Sequence, residues 1–258
     1  MRLSISNIAW SADEDRQIYG LMRQNGYSGL EIAPTRFFPD APYDRLTDMS
    51  LLAGELREKY GLSVCSMQSI LYGKDQNLFD EEGSAELIAY LNRAFSFGEA
   101  AGGCNFVFGC PRNRSVPVGK TAGDSISFFE RSAVLAMEHG CVLSLEANPP
   151  MYGTNFINTT EEAFRFAGKV PGLKVNLDLG TMIDRQEDPR IIEDNLHLVN
   201  HVHVSEPGLA PIQPRELHGQ VARILREGGY DGYVSIEMKK TDTEIIKETL
   251  EYVRSIFG

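Results

Sequence analysis

The chain has 258 residues and a formal charge of −11, with 25 Lys and Arg against 36 Asp and Glu, and its length suits one large α/β domain that buries its own core. The acidic residues are dispersed and no basic stripe awaits a phosphodiester backbone, which argues against bulk nucleic-acid binding. No apolar run reaches the roughly eighteen residues of a membrane span, and the N-terminus, MRLSISNIAW, already reads as a strand, so no membrane partner and a cytoplasmic location are expected. Cys65, Cys104, Cys110 and Cys141 show no C-x-x-C spacing and are expected to be reduced, small apolar residues without a metal or redox role.

In chain order, eight short strands can be marked: Leu3–Ala9, Gly29–Ala33, Ser63–Ser69, Asn105–Cys110, Val142–Ala147, Lys174–Leu179, His201–Ser205 and Tyr233–Met238. A helical pattern follows each. Asp13–Asn25, Asp44–Tyr60, Glu81–Ala101, Thr121–His139, Thr160–Lys169, Pro189–Leu198, Glu216–Glu227 and Asp242–Phe257 carry apolar residues three and four apart, mostly opening on or near Ser, Thr, Asp or Pro caps. Glycines such as Gly26, Gly61, Gly140 and Gly228 mark the return from helix to strand. Strand then helix, eight times over, predicts a parallel sheet closed into one (β/α)8 TIM barrel spanning residues 1–258. In such a barrel the chemistry sits at the C-terminal strand ends. The long loops Pro34–Pro42, Leu71–Leu78, Pro111–Lys120, Asn148–Asn158 and Glu206–Arg215 are therefore expected to build the substrate mouth.

Four of the strands in the second half, VLSLE, KVNLD, HVHVS and YVSIE, end on or beside Glu146, Asp178, His203 and Glu237. Within them Leu143, Leu145, Val175, Leu177, Val202, Val204, Val234 and Ile236 share one parity. Ser144, Asn176, His201 and Ser235 share the other with the four ligand candidates. Successive strand residues point to opposite faces, so one face is apolar and the other polar. Barrel interiors are normally filled by branched apolar side chains, and a polar one needs a reason. Three carboxylates brought together there repel by ~4 kcal/mol per pair at ~4 Å and an effective dielectric of ~20. One divalent cation removes that penalty. Three oxygens and one nitrogen suit Mn²⁺ first, with Mg²⁺, Co²⁺ and Zn²⁺ as alternatives, and leave coordination sites for substrate oxygens. The competing reading is four ordinary strand-end polar groups paired to loop Arg or Lys; matching parity at successive strand ends favours the metal.

These residues carry a resemblance. LEIAP around Glu31, SLEANP around Glu146, NLDLG around Asp178, HVHVSE around His203 and SIEMK around Glu237 resemble the xylose-isomerase-like TIM barrel superfamily. It comprises sugar and sugar-phosphate isomerases and epimerases together with the AP endonuclease family 2, or endonuclease IV, type. The resemblance implies that Glu146, Asp178, His203 and Glu237 bind one divalent metal. Its ketose 3-epimerase branch further implies that Glu146 and Glu237 exchange the substrate proton from opposite faces, as acid and base. Three positions differ from that branch: Gly153 stands where it carries a second Glu, Thr181 where it carries the His of D-x-x-H, and Leu209 near its Arg. The metal set is kept and the contacts to a free ketose are not, which points to a different or decorated sugar.

Other residues are candidates for substrate binding. Arg112 and Arg114 in CPRNR offer planar bidentate forks for a phosphate or carboxylate, unless they are solvated loop charges. Glu31 and Gln68 lie near the mouth, either on sugar hydroxyls or in structural hydrogen bonds. Trp10 and Tyr72 can stack on a sugar ring or close the barrel top. Lys239, two residues past Glu237, points to the mouth or to solvent, and His201 is expected one layer below His203 as its support. The expected activity is a metal-dependent isomerase or epimerase working through an enediolate beside the carbonyl of a sugar, sugar phosphate or keto-sugar. Three rivals remain: a lyase on an oxidised 3-keto glycoside, an endonuclease IV-like phosphodiester hydrolase, and a non-catalytic barrel subunit. The partner is then a small carbohydrate, with a homo-oligomer left open.

Overall fold

The computed structural model of the protein describes all 258 residues. Eight parallel strands close into a barrel in sequence order: β1 (Arg2–Ser6), β2 (Gly29–Ile32), β3 (Ser63–Met67), β4 (Asn105–Phe108), β5 (Val142–Glu146), β6 (Lys174–Asp178), β7 (Val199–Val204) and β8 (Tyr233–Ile236). β1 pairs with β8, Ser4 lying beside Ser235, which seals the ring. The principal helices are α1 (Asp15–Gln24), α2 (Pro34–Phe37), α3 (Leu46–Tyr60), α4 (Glu81–Ala100), α5 (Ile126–Glu138), α6 (Thr160–Ala167), α7 (Leu179–Arg185), α8 (Ile191–Asn195), α9 (Glu216–Glu227) and α10 (Thr243–Phe257). No helix is long and apolar enough to cross a membrane.

The two strand parities become two environments. Ile5, Leu30, Phe106, Leu145, Leu177, Val202 and Ile236 face the helices and are fully buried in one continuous apolar sheath. A side chain of this size contributes about 1.5–3 kcal/mol on burial, so the sheath supplies most of the cohesion. On the other parity the lumen holds Ser4, Ser66, Asn105, Ser144, Asn176, His201 and Ser235, each no more than 5% exposed. Asn105 ties three of its neighbours together. Its Oδ1 accepts from Ser144 Oγ at 2.5 Å and from Asn200 Nδ2 at 2.9 Å, and its Nδ2 donates to Ser66 Oγ at 3.0 Å.

One connection departs from the expected pattern. A helix was expected only from Pro189, yet α7 begins at Leu179, directly after β6. Asp178 is its N-cap, its Oδ2 accepting from the Thr181 backbone N–H at 2.8 Å. The cap satisfies one of the amide donors that a helix start leaves free, which makes so abrupt a strand-to-helix junction feasible. The expected Pro189–Leu198 helix is shorter, α8 followed by a 3-10 turn at Leu196–Leu198. β1 also ends early, at Ser6, and Asn7–Ala9 forms a 3-10 turn instead of strand.

Candidate metal centre and active-site cavity

β5, β6, β7 and β8 each deliver one side chain to the C-terminal end of the lumen. One ligand atom from each of Glu146, Asp178, His203 and Glu237 lies within 4.8 Å of all the others. His203 is at the centre and fully buried. Its Nδ1 is 3.0 Å from Glu146 Oε1 and 3.2 Å from Glu237 Oε2, yet neither contact has hydrogen-bond geometry and Nδ1 is left without a partner. Its Nε2 is committed elsewhere, 2.9 Å from Glu31 Oε2.

The carboxylates are held by residues beside them. Glu146 Oε1 accepts from Asn176 Nδ2 at 2.7 Å and its Oε2 from Asn148 Nδ2 at 3.0 Å. Gly109, at the end of β4, makes room for that carboxylate, since a Cβ there would lie 2.8 Å from Glu146 Oε2. Asp178 Oδ2 also accepts from Thr181 Oγ1 at 2.8 Å, while its Oδ1 accepts from Ser205 Oγ. Gly180 is needed at the same junction, because a Cβ on it would meet Ser205 Oγ at 2.6 Å. Glu237 differs from both: no neighbouring side chain donates a hydrogen bond to its carboxylate, which lies 3.2 Å from His203 Nδ1.

Crowding like charges in a buried ring shifts their protonation. Burial pushes Glu237 up to about 7, with the charges of Glu146 and Glu31 acting in the same sense. Burial and Glu146 likewise raise Asp178. Burial opposes a charged His203, but Glu31 and Glu237 outweigh it and hold the imidazolium well above the ordinary range. An unpartnered buried imidazole nitrogen amid three carboxylates, with the other nitrogen hydrogen-bonded, is the donor set of a divalent-metal site. These residues fit such an ion.

The ring opens into a cavity of about 520 Å³, within the range of about 300–1,000 Å³ common for small-molecule sites. Leu71, Tyr72, Lys74, Arg112, Tyr152 and Leu209 form its upper wall, above Glu146, Asp178 and Glu237. Tyr152 spans the mouth, its hydroxyl accepting from the Gly208 backbone N–H at 3.1 Å. Ser69, Cys110 and Leu209 on this wall have positive φ of 54°, 43° and 56°. Such backbone is costly for residues with a Cβ and clusters at sites that need a fixed shape. The loop after β2, expected at the mouth, contributes nothing to the cavity lining.

The remaining candidates divide. Gln68 lines the cavity, but its Nε2 donates to Ser6 Oγ at 2.7 Å and to Glu31 Oε1 at 3.2 Å. Glu31 lies below His203, fully buried, and does not reach the cavity wall. Despite its burial, His203 and His201 hold its carboxyl well below the usual range. Arg112 lines the rim, exposed, 2.8 Å from the equally exposed Asp75, and Tyr72 stands beside it at 71% exposure.

Three expectations are corrected. Arg114 is no anion clamp: it is fully buried, donates to the Glu146 carbonyl and to Asn148 Oδ1 at 2.7 Å each, and lies over the Phe156 ring. Burial pushes its guanidinium down to about 10. Trp10 is buried beside α1, its indole N–H donating to Asp15 Oδ1 at 2.8 Å and Arg36 lying over its ring, so no sugar can stack there. Lys239 is exposed and outside the cavity lining; the loop passes it outward once its backbone N–H has bonded to the Leu209 carbonyl at 2.9 Å. Asn148, Asn176, Thr181 and Ser205 were not singled out as site residues, although Asn176 has the inward parity and Asn148 follows Glu146 by two positions.

The family model for the xylose isomerase-like TIM barrel matches residues 20–256. The chain belongs to this family. No curated protein matches it. Among solved structures it is similar to 3-keto-D-glucoside 4-epimerase YcjR from E. coli, with a TM-score of 0.75 at 18% identity over 99% of each chain. D-psicose 3-epimerase crystallised in the presence of D-fructose gives a TM-score of 0.78 at 16% identity over 100% of both chains. An AP endonuclease, family 2, from Brucella melitensis gives 0.72 at 17% identity over 96% of both. At such identities the likeness establishes the fold, and function has to be argued from the site.

Proposed function

We propose that this xylose isomerase-like barrel is a divalent-metal-dependent isomerase or epimerase, acting beside the carbonyl of a sugar, sugar phosphate or keto-sugar. The observation that carries the reading is the pair of carboxylates Glu146 and Glu237, each beside His203 Nδ1, at 3.0 and 3.2 Å, and both lining one cavity. A bound divalent ion, Mn²⁺ being the first choice, would be held by Glu146, Asp178, His203 and Glu237 and would stabilise negative charge developing on a substrate oxygen. Sugar epimerases among the similar structures agree with this reading.

The chain's own groups supply the proton chemistry. Glu237, the less constrained carboxylate, takes the proton from the carbon next to the carbonyl, and the electron pair of that C–H bond moves into an enediolate. For inversion Glu146, fixed by Asn148 and Asn176, must enter the cycle protonated and give that proton to the other face, so that the two glutamates end the turnover with their protonation states exchanged. Return to the neighbouring carbon would instead interconvert aldose and ketose. Two carboxylates in unlike environments are the arrangement that separates acid from base. Leu71, Tyr72, Tyr152 and Leu209 wall the site and limit water near the carbanion.

The positions that differ from the ketose 3-epimerases bear on the substrate. Thr181 is fully buried and turned onto Asp178, and Leu209 presents an apolar side chain to the cavity. A free ketose would leave hydroxyls unpaired here, at about 1–3 kcal/mol each. The test is to incubate the Mn²⁺-loaded protein in D₂O with free, phosphorylated and 3-keto sugars and to follow carbon-bound deuterium. Metal-dependent incorporation into a decorated or oxidised sugar is the expected result, with fructose, tagatose and psicose exchanging poorly. No exchange with any sugar would overturn the activity, and brisk 3-epimerisation of a free ketose would overturn the substrate class.

A further inference from the structure

A chain of four buried side chains runs across the lumen from β1 to His203. Gln68 Nε2 donates to Ser6 Oγ at 2.7 Å and to Glu31 Oε1 at 3.2 Å, and the other oxygen of Glu31 lies 2.9 Å from His203 Nε2. Glu31 and His203 are completely buried, and Gln68 is 7% exposed. Glu31 is outside the cavity lining, so it cannot touch a substrate there.

A neutral imidazole carries one proton, and the hydrogen bond made by one nitrogen decides what the other presents. Were the proton on Nδ1, the ring would point an N–H at Glu146 and Glu237 and the site would lose its nitrogen donor. We propose that Glu31 is a positioning residue for the metal centre: it accepts the His203 Nε2 proton, leaves the Nδ1 lone pair for a divalent cation between Glu146 and Glu237, and is itself held by Gln68. An anionic acceptor serves this end better than a carbonyl would, because it also raises the basicity of the ring as a ligand. His201 Nε2, 3.1 Å from the same Glu31 oxygen but without hydrogen-bond geometry, packs beneath as a wall. The inference rests on the metal reading above.

Two measurements test it with the metal ion alone. In titrations of the full chain with Mn²⁺, Glu31→Gln is expected to weaken binding about 10–100-fold, the usual worth of a residue that orients a metal-bound histidine. Gln68→Leu should weaken it less, in the same direction, with one ion per chain throughout. The second measurement needs no variant: long-range ¹H–¹⁵N spectra of the wild type loaded with diamagnetic Zn²⁺ should show His203 protonated at Nε2 and metal-bound through Nδ1. A proton on Nδ1 with Nε2 bound, or two ions per chain with Glu31, His201 and His203 holding the second, would overturn the inference. So would a folded Glu31→Gln protein binding within about twofold of wild type, which leaves the metal reading intact. No binding by the wild type would instead remove that reading, and this inference with it.

Discussion

The ring at the strand ends and the rim on the loops above it were expected to bind the same substrate, and they differ in how far their residues could be placed in advance. Glu146, Asp178 and His203 sit on strands and Glu237 directly follows one, where parity still fixes direction, and all four converge. Trp10, Arg114 and Lys239 sit where a strand has given way to irregular backbone, and none reaches the cavity. Ring residues are also tied down: both oxygens of Glu146 and both of Asp178 are hydrogen-bonded by neighbours. The rim residue Arg112 has only an exposed aspartate for company. The ring is therefore suited to chemistry that needs geometry fixed within a fraction of an ångström, and the rim to adaptable recognition.

The difference predicts unequal sensitivities. The largest effect belongs to the proposed proton carriers. Glu146→Gln and Glu237→Gln should each lower kcat by about two to four orders of magnitude with metal restored, the usual worth of general acid–base catalysis. A variant that keeps wild-type turnover would remove that glutamate from the proton path. Next, Asp178→Asn and His203→Ala should sharply reduce the near-stoichiometric divalent metal found by elemental analysis of gently purified protein. Full occupancy in both would dissolve the ring as a metal centre.

A smaller effect concerns pH. Glu237 is raised from 4.5 to about 7 in the metal-free fold, so the fold favours its protonated form. That contribution is complete below pH 4.5 and is lost as pH rises through about 7, and Asp178 acts in the same direction. The metal-free protein should therefore lose thermal stability between about pH 6.5 and 8; below that range His201 and His218, which burial lowers, the latter to about 4, act in the opposite direction. Added Mn²⁺ must displace the Glu237 and Asp178 protons, so the stabilisation it gives should grow over the same window. Thermal unfolding with and without Mn²⁺ between pH 5 and 8 measures both trends; parallel curves would show that no ring proton is exchanged for the metal.

The smallest effects separate the two arginines that the sequence placed side by side. Arg114→Met leaves the buried Glu146 carbonyl and Asn148 Oδ1 short of a donor, at about 1–3 kcal/mol each, and should lower Tm while loosening Glu146. Arg112→Ala removes only an exposed pair, worth about 0–1 kcal/mol, and should leave Tm nearly unchanged. If the substrate is anionic, the same change should raise KM more than it lowers kcat. Equal stability losses at the two positions would erase the contrast between a supporting residue and a rim residue.

The sequence by itself determined the barrel and the inward ring. Eight strand-then-helix repeats admit few closures, and a period of two assigns each strand residue to the lumen or the sheath before any fold is known. That is why Glu146, Asp178, His203 and Glu237, with Asn176 and His201 beneath them, could be placed from the sequence. Where chain direction is set by contacts distant in sequence, the tertiary structure alone decided. Arg114 turned inward because the end of β5 offered the Glu146 carbonyl and Asn148, 32 and 34 residues away. Glu31 fell beneath His203, 172 residues away, because barrel closure brings β2 across the lumen from β7. Even Asp178's second role, capping α7, stayed hidden while its carboxylate was read only as a ligand. A carboxylate has lone pairs for both duties, and only the arrangement of its neighbours decides which are used.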